Sequence, residues 1–293
     1  MRPGDSPSRL IVGAPGDAVG LCVLEAERRG HAEEGIVVLA LVVVLLLLPC
    51  ATQLFAAEIE PDRPEVTESA KLVPRGAVQL ESGLAFSRER RAGLSAEKTF
   101  AAEADLRIGV ARDVELDLGW EPLVRVRGPE DDTGIGDVTL GLRYRFVRGI
   151  EDELWPPHLA LKVFAKLPAA NEPIGTGRPD FGVLFLASLE LPQEFELEVN
   201  VGAAAIGQRR GGYLAQAIVT ASLSRELAPS LLGFLELLFG SRDERDGRDQ
   251  LAVNVGLVYR LTHMMAVDAG LQTSLVSQGP DYVVRTGLSV LWR

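Results

Sequence analysis

The sequence predicts an all-β fold, a transmembrane antiparallel up-and-down β-barrel of about twelve strands preceded by a cleaved signal peptide. Three observations carry that expectation. Apolar and polar residues alternate with period two in segment after segment beyond Glu58, the alternating segments are long, and long polar connections take turns with short ones between them.

The chain begins with a candidate export signal. Gly35 to Leu48 reads GIVVLALVVVLLLL, the length of a signal-peptide apolar core and shorter than the ~20 residues a spanning helix needs. Arg28 and Arg29 precede it and Ala56-Ala57 follow it, so cleavage falls after Ala57 and residues 1–57 form the signal region. Acidic residues outnumber basic ones in residues 1–34, which points to a true translation start further along. A single membrane anchor is the alternative for this segment. Cys22 and Cys50, the two cysteines of the chain, both belong to it, so no disulfide is expected in the exported protein.

Residues 58–76, EIEPDRPEVTESAKLVPRG, hold three prolines and no alternation. They predict an irregular lead-in, on the periplasmic side or folded into the lumen as a plug. From residue 77 to 293 the barrel follows, with strands expected near 77–88, 97–110, 113–127, 136–148, 158–168, 180–191, 194–207, 213–226, 230–241, 250–261, 264–276 and 281–293. The clearest places Leu251, Val253, Val255, Leu257, Tyr259 and Leu261 on one face, against Ala252, Asn254, Gly256 and Arg260 on the other. Strands of this length can cross a bilayer, which takes ~9–11 tilted residues. Soluble strands average only ~5–6.

The connections sort by length. RRAGLSA, GPEDDTGI, AANEPIGTGRP, QRRGG and RDERDGRD are long and polar, whereas ARD, PQ, LAPS and THM are tight; the Trp155-Pro156-Pro157 connection is an exception. Short turns at one rim with both termini there, and longer loops at the other, is the arrangement of outer-membrane barrels, and it predicts the bacterial outer membrane of a Gram-negative cell as the location. Thirteen aromatics from Phe86 to Trp292 fall on faces read as outward, many near strand ends where interfacial girdles lie.

The polar faces then project inward. The lumen-facing candidates are Glu103, Asp105, Arg107, Glu115, Asp117, Glu121, Arg143, Arg145, Lys162, Lys166, Glu196, Glu198, Glu236, Arg260, Asp268 and Arg285. In a narrow barrel such groups form ion-pair networks across strands more often than they contact substrate. The pairs Glu115/Asp117 and Glu196/Glu198 share a face, as residues two apart on any strand do, and no Gly-x-Ser-x-Gly elbow or Ser-His-Asp order accompanies them. No catalytic residue, cofactor site or metal site is expected; His31, His158 and His263 are scattered, and neither H-E-x-x-H nor C-x-x-C occurs. A net charge of -11, from 30 Lys+Arg against 41 Asp+Glu, argues against nucleic acid as a partner.

The segment DRPEVTESAKLVPRGAVQLESG, Asp62 to Gly83, resembles the opening of an outer-membrane transporter family named for a MetA-pathway of phenol degradation, in which Asp-Arg-Pro, Thr-Glu-Ser and Pro-x-Gly precede Gln-Leu-Glu-x-Gly. GIGDVTLGLRYRF, Gly134 to Phe146, resembles that family's Gly-x-Gly-Asp strand, and Leu167-Pro168 its Leu-Pro ending. The resemblance runs from Asp62 to Arg293. It implies a channel-type transporter for aromatic or other small hydrophobic compounds. Arg293 after Trp292 departs from barrels of this kind, which finish on the aromatic, and so bears on recognition by the insertion machinery. The partners expected are the lipid bilayer, the outer-membrane insertion machinery and a small-molecule solute. Two further readings stand beside the channel: a structural barrel with a plugged lumen, and a periplasmic ligand-binding β-sandwich that buries its apolar faces against one another.

Overall fold

The computed structural model describes residues 59–293 except 91–94, 130, 151 and 152. The expected signal region therefore lies outside the described residues, apart from which the chain is built of strands: β1 (Val78–Glu89), β2 (Glu97–Ala111), β3 (Val114–Arg127), β4 (Asp132–Gly134), β5 (Val138–Val147), β6 (His158–Leu167), β7 (Asp180–Leu191), β8 (Phe195–Gly207), β9 (Tyr213–Ala228), β10 (Leu231–Gly240), β11 (Gln250–Thr262), β12 (Met265–Ser274) and β13 (Tyr282–Trp292). Successive strands pair antiparallel except that β5 pairs with β3 and not with β4, and β1 pairs with β13 from Val78↔Trp292 to Arg88↔Tyr282. The sheet is thereby one closed cylinder, not two packed sheets, and the sandwich alternative falls. Closure leaves no strand edge unpaired, which is what hydrocarbon demands of a spanning sheet.

Twelve of the strands span. The thirteenth, β4, is a three-residue fold-back inside the expected 128–135 connection, pairing with the far end of β3 from Val124↔Gly134 to Val126↔Asp132. β3 extends beyond the wall here, and β4 supplies its missing ladder partners.

The alternation resolves into a lipid face and an interior. Leu116, Leu118, Leu140, Leu142, Val163, Phe185, Leu235, Leu237 and Val255 are exposed on the outside. The exterior aromatics pair near the long-loop rim, Phe86 with Tyr282 at 6.1 Å and Phe181 with Tyr213 at 6.3 Å between ring centres. Arg225 lies over Phe195, 4.9 Å from the ring centre, at the short-turn rim. A strip of such amphipathic groups at each rim fits the two interfaces of a bilayer.

The alternation breaks once inside β3. Between Trp120 and Leu123 the β2–β3 register slips, opposing two residues of β3 to one of β2. The cause is local, because Pro122 has no N–H to give the ladder and a bulge absorbs it. Beyond the bulge the faces swap, so Val124 and Val126 are buried in the interior while Arg125 and Arg127 are exposed.

Candidate functional site: the lumen and its mouth

The interior divides into two halves. In the short-turn half the lead-in, residues 59–77, occupies the lumen. Ile59 enters beside Val73, Ala77, Val258, Ala266 and Leu291, so the segment starts and ends at the same rim. Between those ends it sweeps round the inner wall and touches every spanning strand.

The contacts follow the circle. Glu81 of β1 accepts the Asp62 and Arg63 backbone N–H groups at 3.3 and 2.9 Å. Arg63 pairs with Glu103 of β2, lies 3.6 Å from Asp268 of β12 and donates to the Thr286 carbonyl of β13. Asn254 of β11 donates to the Pro64 carbonyl. Glu236 of β10 accepts from the Val66 and Thr67 amides and the Thr67 hydroxyl, and that hydroxyl lies 2.9 Å from the hydroxyl of Thr220 on β9. Asn200 of β8 accepts the Glu68 amide at 2.7 Å and donates to its carbonyl at 2.8 Å. Ser188 of β7 accepts the Ala70 amide, and Glu115 of β3 the Val73 amide. Lys162 of β6 sits 2.7 Å from Glu68, and Arg143 of β5 2.8 Å from Asp62. An irregular segment has its backbone polar groups unmet by any ladder, and here inward side chains of the wall meet them.

The wall is also shaped for it. A Cβ on Gly83 would fall 2.3 Å from the Arg63 guanidinium, and one on its cross-strand partner Gly287 2.8 Å from Arg63 Nε. This close approach is available only to a residue without a side chain.

At the centre Asp62 stands between two buried guanidiniums, 3.3 Å from Arg107 and 2.8 Å from Arg143. Burial alone would push its carboxyl up; Arg107 and Arg143, with the Ser69 amide, outweigh that and hold it below the usual carboxylate range. Glu65 behaves oppositely. Burial, then the carboxylates of Glu198, Glu236 and Asp62, push it well above its ordinary value. Burial would lower Lys71, but Glu60, Glu196 and Glu190 surround it at 3.8, 2.8 and 3.2 Å and raise it.

The sixteen residues singled out from the sequence are placed as follows. Arg107, Glu115, Asp117, Arg143, Lys162, Glu236 and Asp268 are buried in the interior, and Glu103, Asp105, Glu121, Lys166, Glu196, Glu198 and Arg285 are part-buried. Arg107 is 2.8 Å from Glu115, Arg143 2.9 Å from Asp117, Lys166 2.7 Å from Asp180, and Arg285 donates to Gln272. Ser188 donates to Glu198 at 3.1 Å. Arg145 and Arg260 lie near the short-turn rim, paired with Asp113 at 3.1 Å and Glu226 at 4.0 Å. Ion pairs thus run from strand to strand, but also through a third party that sequence reasoning did not treat as part of the site: Asp62, Arg63, Glu68 and Lys71. The signal available was the density of charge in the proline-rich stretch 58–76, which carries eight charged residues ahead of a wall with many inward charges.

The long-loop half is open. A vestibule of about 1170 Å³ is lined by β1–β3 on one side and by the β8–β9 and β10–β11 connections on the other. A side bay of about 300 Å³ adjoins it against β13, β1, β2 and β3. Ala85, Ala101, Val124, Val126 and Val283 form an apolar patch on that wall, with Ile174 packed against it. Among the described residues no group of three or more His, Cys, Asp or Glu is arranged to hold a metal ion.

Solved structures resemble this one at low sequence identity. A crystal structure of an outer-membrane channel from Pseudomonas putida F1 superposes with a TM-score of 0.58 at 14% identity, over 80% of this chain and 100% of that one. The β-domain of the Bordetella autotransporter BrkA gives 0.46 at 10%, over 74% and 99%, and CymD, a monoaromatic hydrocarbon channel, 0.40 at 9%, over 74% and 88%. The first of these shows a shared fold, that of outer-membrane barrels. No curated protein matches in sequence. A family model matches residues 61–292, from the lead-in to the end of the last strand, so the chain belongs to the family described as Putative MetA-pathway of phenol degradation.

Proposed function

We propose that this protein is a channel of the bacterial outer membrane that passes small molecules, aromatic or hydrophobic ones among them, and that the lead-in 59–77 is the gate of its lumen. The observation that carries this reading is the contrast inside one cylinder: an open, water-accessible mouth that ends on a segment bonded to every spanning strand. The family supports small-molecule transport, as does the P. putida structure, itself an outer-membrane channel. Charged side chains of both signs inside a barrel keep it wet. Transport, not catalysis, is the activity this arrangement serves.

Beside the apolar packing of Ile59, Val73 and Ala77 at the rim and of Ala70 further in, the clamps of the gate are polar, which matters for its function. Each clamp is an ion pair or hydrogen bond worth little more than its replacement by water once the segment moves, so the docked and released states differ by far less than the sum of the contacts.

Flux through proteoliposomes tests the reading. The full chain should pass small neutral solutes slowly, and a variant lacking residues 59–73 at least about 10-fold faster, as expected for an unblocked barrel lumen. Equal flux from both, or none from either while the protein remains a heat-modifiable barrel, contradicts it. The second reading, a structural barrel permanently closed, is favoured by the number of clamps, and it predicts flux in the deletion alone.

A further inference from the structure

The mouth carries a charge asymmetry that the gate does not explain. Among the described residues, seven acidic side chains line the vestibule against four basic ones. Lys166 is already held by Asp180 and Asp137, at 2.7 and 3.1 Å. The carboxylates of Glu97 on β2 and Glu121 on β3 have no hydrogen bond or ion pair among the described residues, and both line the vestibule and its side bay. The register sets Glu97 directly opposite Glu89 on the same face. Among the described residues the bay has one basic lining side chain, Arg285, which donates to the neutral Gln272 and keeps its charge, against four acidic ones.

The apolar patch lies between these charges. Ala85 pairs with Ala101, and Ala101 with Val124, in one cross-strand row. Glu97 lies beyond that row toward the mouth, and Glu103 and Glu121 lie beyond it toward the gate. The bay therefore presents hydrocarbon flanked by carboxylates, of which Glu103 is paired with Arg63 while Glu97 and Glu121 have no cationic partner among the described residues. Inside a cleft with low-dielectric walls such charge is focused rather than screened, raising the local concentration of cations and depleting anions.

We infer that this mouth selects charge: Glu97 and Glu121 admit organic cations, whose apolar body rests on Ala85, Ala101 and Val124, and turn organic anions away. The inference deepens the channel reading by naming the solute class, and rests on it for its purpose. The charge preference itself does not require flux, which keeps the two separable.

A cysteine at Thr99, which lines both cavities, reports the local potential. In the full chain with Cys22 and Cys50 replaced by Ser, Thr99→Cys is reacted with cationic and anionic methanethiosulfonates at low salt. Ser277→Cys on the exposed β12–β13 loop is the reference. The cationic-to-anionic rate ratio at Thr99→Cys should exceed the reference by about 10-fold, the lower end of what a focused field achieves. It should fall to the reference value in Glu97→Gln/Glu121→Gln and in high salt. 2-Phenylethylammonium should protect the cysteine, and 2-phenylethanol and 3-phenylpropionate should not. A ratio equal to the reference, a ratio unchanged by the double substitution, or equal protection by the alcohol overturns the inference. Failure of flux with these results intact would instead count against the channel.

Discussion

The two halves of the lumen are lined by the same kind of alternating wall yet use their inward charges in opposite ways. In the short-turn half Arg107, Arg143 and Lys162 meet Asp62, Glu68, Glu115 and Asp117, and sign is balanced against sign at 2.7–3.5 Å. In the long-loop half Glu97 and Glu121 face open volume with no such partner among the described residues. The difference lies in the lead-in. Where it reaches, wall charges are desolvated and most of them are paired, Asp105 being an exception; where it stops, water does the solvating and charge is free to act on solutes.

The largest expected effect comes from cutting the central clamp. Asp62→Asn takes from the buried guanidiniums of Arg107 and Arg143 the lead-in carboxylate that joins them and leaves them to the wall carboxylates of Glu81, Glu115 and Asp117 and to Glu68. Breaking a buried pair costs about 3–5 kcal/mol where the charge left behind has no other partner; here the remaining carboxylates offset part of that, and the loss falls on the lead-in. Limited proteolysis should then cut within residues 59–77 while the barrel keeps its heat-modifiable mobility. An unchanged lead-in would mean that Asp62 is not the keystone.

Acidity should act in the same direction, more gradually. The Asp62 carboxyl is held below its ordinary range when docked, so its contribution is present above that range and is lost as pH falls through the lowered value. Glu65 has the opposite sign: its carboxyl is raised in the docked state, so its contribution is full at low pH and is lost as pH rises through the raised value. Glu65→Gln should accordingly strengthen docking at neutral and alkaline pH and leave acid release intact. Hydrogen exchange of the Glu65–Ala70 amides against pH, in the parent chain and in each variant, reads both slopes. If both substitutions shift protection the same way at alkaline pH, the assignment of signs is wrong.

A smaller effect belongs to the cradle. Gly83→Ala places a Cβ against the Arg63 guanidinium and also 2.4 Å from the Thr286 carbonyl of β13, and should cost about 1–3 kcal/mol, as overpacking does. Lead-in protection should fall further than that of the β1–β13 ladder. Equal loss of both would show that Gly83 serves the wall and not the gate.

How far the sequence disclosed this depends on the periodicity of each part. Every spanning strand has one face on hydrocarbon and one on water or buried charge, so Leu251–Leu261 or Val114–Trp120 announces itself by period two, and the strand list follows the observed elements within a few residues. The lead-in has no period. Pro61, Pro64 and Pro74 forbid one, and its position is fixed by groups on twelve strands, most of them far away in sequence, such as Glu236 for Thr67 at a separation of 169 residues. Inward charges could be found by face, but their partners could not. The swap of faces beyond Trp120 was legible in principle, since a proline inside a strand signals a bulge, and with it came Val124 and Val126 in the apolar patch of the mouth. β4 is too short to carry any pattern.

Tethering the lead-in to the wall tests the gate most directly. Thr67 and Thr220 touch through hydroxyls 2.9 Å apart, so Thr67→Cys/Thr220→Cys, with Cys22 and Cys50 replaced by Ser, should form a disulfide on oxidation. Solute flux through proteoliposomes should drop to the lipid background when the bond is formed and recover on reduction. Failure of the pair to cross-link in a properly folded barrel, or flux that is the same in the oxidised and reduced states, would contradict a lumen gated by residues 59–77.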